Sequence, residues 1–413
     1  MSVIRTDVAI VGAGMAGAAL AALLAAQGLD VLLCDAGEPQ AALPRVPTAI
    51  ADVDSRVSAI NMASRGVLDE AGAWSALPDA VRCAYQAMRV WEEDGTGRIG
   101  FDAADIGASA LGFIVENRWI TAALLRVLAT QPRVQLRGRE TLVSLRLPEE
   151  PGRPVQLQFA SGLAVQAALA VGADGAQSSV RSLCGIEAPS RDTGQSAIVA
   201  TIRTSGSHAH TAWQRFLQSG PLALLPLAAL PGGHAASIVW SADAPVAERL
   251  LALDDTAFLQ ALTRASESCC GEVLEITPRL AFPLRQLHAA SYTAPGVALV
   301  GDAAHVIHPL AGQGINLGFA DVRVLAEEIA RARGRGEPLA SPDALARFAR
   351  RRRGENASML AAMQGFQRLF GDTHPAVRLV RNFGLGAVDR LAPLKRAFMR
   401  EAMGFRQTPT LQR

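Results

Sequence analysis

The chain has 413 residues, half of them apolar, with 19% charged residues and a net charge of +2. A chain of that make-up is neither a disordered tail nor a small stapled scaffold, and at this size folding buries roughly 75% of the surface the unfolded chain exposes. The near-zero charge balance gives no electrostatic footprint for nucleic acid, and two to three domains are the length expectation.

Along the chain, Val3 to Val11 reads as a buried strand, and Gly12-Ala13-Gly14-Met15-Ala16-Gly17 follows as GxGxxG. Met15 to Gln27 is rich in Ala and Leu and suits a helix, and Asp30 to Asp35 reads as the next strand. This is a βαβ unit with a dinucleotide-binding turn. Gly12 permits the tight turn, Gly14 lets backbone approach a pyrophosphate, and Gly17 lets helix and strand pack closely. Asp35 is placed to accept hydrogen bonds from a ribose diol. Val8 to Ala26 carries no charge and is nearly long enough to span a membrane, but its glycines argue for the strand-to-helix turn instead. The start of the chain, a single Arg5 followed by Asp7, also fits a signal peptide badly. Pro154 to Ala173 is interrupted by glutamines and Phe216 to Ala242 by prolines, so no transmembrane segment is expected.

Leu169 to Gly175 is an apolar strand running into Gly172-Ala173-Asp174-Gly175, with Ser178, Ser179 and Arg181 opening a helix. Short alternating runs follow at Ser196 to Arg203, Pro221 to Leu230 and Ala235 to Trp240, punctuated by turns at Ser205-Gly206-Ser207 and Pro231-Gly232-Gly233. Val297 to His305 repeats the theme of strand, then Gly301-Asp302. Pro309 to Gly318 is dense in glycine ahead of a helix expected over Phe319 to Arg333. A helix N-terminus there offers free N–H groups to electron-rich atoms. Residues 343–405 look helical, with Phe366, Leu369, Phe370, Leu379, Phe383, Phe398 and Phe405 among the apolar positions. Arg331 to Arg353 is rich in arginine. The simpler reading is a solvated helix pair; the sharper one is a surface for anionic lipid or a partner. The five cysteines (Cys34, Cys83, Cys184, Cys269 and Cys270) have no CxxC spacing and suggest free thiols in a reducing, cytoplasmic compartment.

Taken together, the first glycine turn, the segment Gly172 to Arg181 and Gly301-Asp302 resemble the FAD fingerprint, DG motif and GD motif of the class A, single-component flavoprotein aromatic hydroxylases. Asp54 to Ile60, Met88 to Trp91, Phe101 to Ala103, Leu111 to Asn117, Gly301 to Gly314, Arg381 to Leu385 and Arg400 to Gly404 narrow this to a resemblance to the ubiquinone-biosynthesis hydroxylase family. It implies an α/β fold of the para-hydroxybenzoate-hydroxylase kind: a Rossmann-like FAD-binding domain interleaved with a mixed β-sheet substrate domain, plus C-terminal helices. The expected division is 1–75, 115–185 and 285–350 for FAD, 76–114 and 186–284 for substrate, and 351–413 for the helical end. The implied reaction hydroxylates the ring of a polyprenylphenol intermediate, with NAD(P)H as transient electron donor, O₂ as co-substrate and a flavin C4a-hydroperoxide as the oxidant. Two alternatives stay open: a soluble aromatic acid as substrate, or a non-catalytic FAD-bearing subunit of a quinone-synthesis complex. A quinone-biosynthesis protein complex and peripheral contact at the inner membrane face are implied partners.

The resemblance assigns cofactor contacts to Gly12, Ala13, Gly14, Met15, Ala16, Gly17, Asp35, Arg56, Arg118, Asp174, Gly301, Asp302, Pro309, Gly312, Gln313, Gly314, Ile315 and Asn316. Arg56 and Arg118 are each weighed against an arginine on a solvated face, and Asp174 against a helix N-cap. His308 and Pro309 are the candidate catalytic residues. His305 and His308 are each weighed as a base on a phenol against a satisfied structural histidine. Their i, i+3 spacing lacks a third ligand, so no metal site is expected. Trp91 and Trp240 read as core aromatics.

Overall fold

The computed structural model describes residues 3–93, 97–150, 152–231, 233–307 and 314–371, together with Arg396, Met399 and Met403. The chain opens with β1 (Val3–Val11), α1 (Met15–Ala26), β2 (Val31–Cys34), β3 (Val57–Asn61) and α2 (Met62–Glu70). It continues through β4 (Cys83–Tyr85), β5 (Ala87–Glu92), β6 (Arg98–Asp102), β7 (Gly112–Glu116) and α3 (Asn117–Leu128). Then come β8 (Val134–Arg137), β9 (Leu142–Arg146), β10 (Val155–Phe159), β11 (Ala164–Gly172) and α4 (Ser179–Leu183). A run of β12 (Ser190–Thr204), β13 (Thr211–Leu217), β14 (Gly220–Pro226) and β15 (His234–Asp243) leads to α5 (Ala244–Leu251) and α6 (Asp255–Ala265). The remaining elements are β16 (Val273–Ile276), β17 (Leu280–His288), β18 (Thr293–Ala294), β19 (Val297–Leu299), β20 (His305–Val306), α7 (Gly314–Gly334) and α8 (Pro342–Gly371).

Among the described residues the strands form three sheets. The first has the path β18-β19-β11-β1-β2-β8, with β10 and β9 attached beyond β11. Its centre is parallel: β1 pairs with β11 and β2, and β11 with β19. Strands buried on both faces need continuous apolar runs, which Val8–Val11, Val31–Cys34 and Leu169–Val171 supply. Helix α1 crosses from β1 to β2 and is buried continuously from Gly17 to Ala25, as its nearly all-apolar surface requires.

The second sheet has the path β20-β17-β12-β15-β14-β13-β5-β6, with β16 beside β12. Its two faces carry different cores. Leu222, Leu224 and Ile238 face α5 and α6, whose Phe258 and Leu262 are fully buried. Ala223, Leu225 and Ala235 face the other way, toward the small third sheet β3-β7-β4. Strand β12 begins six residues before the apolar pattern suggested, because its polar start pairs with β17 from Ser190↔Leu287 onward.

Trp91 and Trp240 are buried, packed edge-on to Trp213 and tilted against Phe258 respectively. Phe366, Leu369 and Phe370 fall within α8; Leu379, Phe383, Phe398 and Phe405 lie outside the described residues. Among the described residues no helix is long and apolar enough to cross a membrane.

Candidate functional site

The site begins at the turn between β1 and α1. Gly12 has φ of +108°, and a Cβ there would stand 2.3 Å from the Ala173 carbonyl oxygen. A Cβ on Gly17 would stand 1.9 Å from the Gly12 carbonyl oxygen, so this glycine seats α1 on β1. Gly14 differs: a Cβ there meets nothing within 4 Å. Packing within the chain does not demand that glycine, and the space beside it is open. Helix α1 starts from Gly14 with no side-chain cap, which leaves its first N–H groups facing that space. Asp35, at the end of β2, accepts from the Ala13 N–H at 2.7 Å and the Gly37 N–H at 2.8 Å. Each carboxylate oxygen retains a lone pair for a further donor.

The second turn follows β11. A Cβ on Gly172 would lie 2.8 Å from Leu299 and 2.9 Å from Val180, so glycine here permits strand and helix to close up. Ser178 caps α4 by accepting from the Arg181 N–H at 3.0 Å. Asp174 does not hold the cap position, but its Oδ2 accepts from the Val180 N–H at 3.1 Å. Its Oδ1 is buried and has no partner among the described residues. Arg181 is buried and joins two motifs, donating to the Ala303 carbonyl at 2.8 Å and the Ala176 carbonyl at 2.8 Å.

The third turn, Gly301–Ala303, brings the others together. Gly301 has φ of +60°, and a Cβ there would lie 3.4 Å from Ala16 Cβ and 3.9 Å from Gly318 Cα. The first turn of α1, the Gly-Asp turn and the first turns of α7 therefore meet at one point. Asp302 is exposed to solvent on this turn, while protein atoms crowd its carboxyl group. Burial raises its carboxyl above the usual range, opposed by the positive side chains of His305 (when protonated) and Arg56. Arg56 is exposed, with its guanidinium 5.7 Å from the Phe282 ring centre. Asn316, in the first turn of α7, donates to the Ala59 carbonyl at 2.8 Å and accepts from the Asn61 N–H at 3.1 Å. Gly314 and Ile315 precede it. Helix α7 begins at Gly314, five residues before the expected start, because these tertiary bonds override the poor helix propensity of a glycine-rich segment.

Other expectations fare differently. Arg118 is committed within the chain: it bonds Glu116 at 2.8 Å and also donates to the Asp52 carbonyl. His305 is 1% exposed and bonded through Nε2 to Asp321 Oδ2 at 2.6 Å, which is the structural role rather than that of a base on a phenol. His308, Pro309, Gly312 and Gln313 lie outside the described residues. The arginine-rich stretch is partly spent internally. Arg331, Arg347 and Arg351 surround buried Glu328, and Arg352 is fully buried on Asp321, while Arg331, Arg333, Arg335, Arg350 and Arg353 are exposed.

A packed apolar core lies beside the turns: Val57, Ala59, Tyr85 and Ile114 on one side meet Ala223, Leu225 and Ala235 on the other, with Met399 and Met403 in the same cluster. Ala59 belongs to this core and its carbonyl also accepts from Asn316, so the core abuts the start of α7. A cavity of about 320 Å³ borders this core at Ala235, lined also by Ile50, Leu230, Pro231, Arg203, His234 and Glu275. The sequence reading missed Tyr292, Asp321, Arg352 and Asn356, which form a buried polar network beneath the Gly-Asp turn. Only the presence of Asp321 amid the apolar residues of α7 hinted at it.

These features fit a bound FAD. Space is held open beside Gly14, the start of α1 is uncapped, Asp174 has an orphaned buried oxygen, and Asp302 is exposed on the turn that meets α1. The family model described as an FAD binding domain matches residues 5–360. The 3-demethoxyubiquinol 3-hydroxylase of Escherichia coli (strain K12) is 39% identical over 401 residues, covering 97% of this chain and 98% of that one. The ubiquinone hydroxylase UbiL of Rhodospirillum rubrum is 37% identical over 399 residues, covering 96% and 89%. Among solved structures, P. aeruginosa PqsL in complex with 2-aminobenzoylacetate has a TM-score of 0.75 at 22% identity, covering 93% of this chain and 100% of that one, a likeness of fold.

Proposed function

The chain belongs to the FAD binding domain family and is an FAD-dependent monooxygenase, and from that premise we propose that it hydroxylates the aromatic ring of a polyprenylphenol intermediate in ubiquinone biosynthesis. The observation that carries the reading is the meeting of α1, the Gly-Asp turn and α7 at Ala16, Gly301 and Gly318, close to the apolar core between the second and third sheets. Bound FAD supplies reduction by NAD(P)H and activation of O₂. The chain binds, orients and excludes water.

In this reading the N–H groups of Ala13, Met15, Ala16 and Gly17, with the open face of Gly14, take the pyrophosphate. Asp35 takes the ribose diol. Gly301 and Asp302 take the ribityl chain, and Asp174 uses its unpartnered oxygen toward the same cofactor or toward water beside it. The start of α7 (Gly314, Ile315 and Asn316) offers its N–H groups to the electron-rich end of the flavin, and Gly312 and Gln313 are assigned to the same cofactor. Arg56, an exposed cation whose charge acts on Asp302, serves the phosphates or the flavin edge. His308 and Pro309 are assigned to the catalytic step. In this reading the ring binds against the apolar residues between the second and third sheets, which exclude water and so limit wasteful release of H₂O₂. An apolar tail partitions into lipid, so the reading includes peripheral membrane contact and association with other quinone-synthesis proteins.

Anaerobic stopped-flow reduction of the FAD-loaded protein by NADH or NADPH, with and without a short-chain polyprenylphenol, tests this. Flavin bleaching accelerated by the phenol is the expected result. Bleaching indifferent to the phenol, but accelerated by a soluble hydroxybenzoate, assigns the other substrate class. No bleaching under any of these conditions points to a non-catalytic FAD-bearing subunit.

A further inference from the structure

Beneath the Gly-Asp turn lies a set of polar groups that binding and chemistry have not yet used. Asp321, on α7, is completely buried and has all four acceptor positions filled. Its Oδ2 accepts from the Gly301 N–H at 3.0 Å and His305 Nε2 at 2.6 Å. Its Oδ1 accepts from Arg352 Nε at 2.7 Å and Asn356 Nδ2 at 3.2 Å. Arg352, also completely buried, donates to Asn356 Oδ1 at 2.7 Å and pairs with Glu355. Asn356 Nδ2 also donates to the Tyr292 hydroxyl at 3.1 Å, which sits 2.9 Å from His288 Nε2. The network thus spans the Gly-Asp turn, α7, α8 and the Ser291–Thr293 region. Buried ions of this kind add little net stability compared with apolar packing, and their best-attested use is to specify one arrangement over others.

The position of Asp321 says which arrangement. Two elements approach the flavin site from the C-terminal half of the chain: the Gly301–Ala303 turn and the start of α7. Asn316 fixes the start of α7 against β3, and Asp321, five residues further on, fixes the same helix against Gly301. At that crossing Gly318 would meet Gly301 Cα at 3.3 Å if it bore a Cβ, so the two backbones are nearly in contact. A slip of helix against turn would move Asp302 relative to the first turns of α1 and α7.

We infer that Asp321 is a positioning residue for the cofactor site: with His305 and Arg352 it sets the register between the Gly-Asp turn and the start of α7, and through that register the grip on the flavin. This rests on the FAD reading above, and only its consequence for affinity depends on it. His305 acts here through one nitrogen. Its Nδ1 is buried and has no partner among the described residues, so Nε2 toward Asp321 is the functional end.

The test compares the wild type with a charge-balanced double variant, Asp321→Asn/Arg352→Met, and with His305→Gln and His305→Met. Gln can return a donor near the place of Nε2, and Met cannot. Phe258→Leu, in the remote core under α6, serves as a control for lost stability alone. Hydrogen–deuterium exchange of the apoprotein reads the register directly, and FAD dissociation constants read its consequence. Exchange at Gly301 should quicken about tenfold or more in the double variant, with β12–β15 unchanged, and FAD should bind about tenfold more weakly. His305→Gln should lie closer to wild type than His305→Met in both readouts. Slow exchange at Gly301 in the double variant, or an FAD affinity altered no more than in Phe258→Leu, overturns the inference. If the double variant fails to fold, the ordering of the two His305 variants decides. A wild type that takes up no FAD would sink the FAD reading, and the exchange arm would still decide the register.

Discussion

Gly14 and Gly17 stand three residues apart, yet the fold requires only one of them. An added methyl at Gly17 collides with backbone, whereas at Gly14 it enters open space. Gly17→Ala should therefore abolish soluble expression or lower the apoprotein Tm sharply. Gly14→Ala should leave the apoprotein Tm within about 2 °C and weaken FAD binding tenfold or more, because the methyl occupies about the space of one pyrophosphate oxygen. Thermal melts and flavin fluorescence titrations of both apoproteins check this. Such demands are legible in sequence because they arise within a few residues of backbone. Asp321 was not legible, since an acid on a buried helix face looks the same in sequence as one on an exposed face. Burial alone would raise its pKa, but His305 and Arg352 overcome that and hold it at about 2. The folded-state pKa is depressed, so the contribution is present above about pH 4 and is lost as pH falls toward 2. That amounts to roughly 2 kcal/mol at neutral pH. Urea melts from pH 5 to pH 2.5 should show a shallower acid loss for Asp321→Asn/Arg352→Met than for wild type.

At the scale of elements, α4 is too short to stand alone and is held by its ends. Ser178 caps it, and Arg181 staples it to the Gly-Asp turn. Ser178→Ala should cost about 1 kcal/mol, read as a lower urea midpoint with an unchanged slope. Arg181→Met, which removes bonds to two motifs at once, should cost more and also weaken FAD binding. The strand-Gly-Asp-helix pattern was visible in sequence because β-branched and apolar runs precede glycines that no regular element tolerates well. The beginning of α7 was not, because Gly314 to Gly318 has poor helix propensity and is made helical by Asn316 bonding to another strand. The arginine run shows the same limit. Its spacing says nothing of Glu328, which is buried and draws Arg331, Arg347 and Arg351 into ion pairs.

For the whole molecule, the alternation of strand and helix was enough to indicate an α/β core with a second, mixed sheet. The pairing of strands was not, because partners such as β1 and β11 lie far apart in sequence and no local signal links them. The two faces of the second sheet likewise could not be told apart from an apolar run like Pro221 to Pro226, which is buried on both. Only tertiary packing shows that Leu222 and Leu224 belong to one core while Ala223 and Leu225 belong to another.

That order of strands also has a consequence in time. Strand β1 is the first to be synthesised and lies at the middle of its sheet, and it must wait for β11 and then β19 before its side of the site exists. At ribosomal speeds the interval between those last two strands is on the order of ten seconds. Throughout it, an apolar parallel sheet stands with an unpaired edge where β19 belongs. In the proposed assignment the first turn is made early but the cofactor site stays incomplete until Asp302 has emerged, so flavin uptake follows synthesis of the Gly-Asp turn, and shorter fragments, with that sheet edge unpaired, are the species most exposed to aggregation.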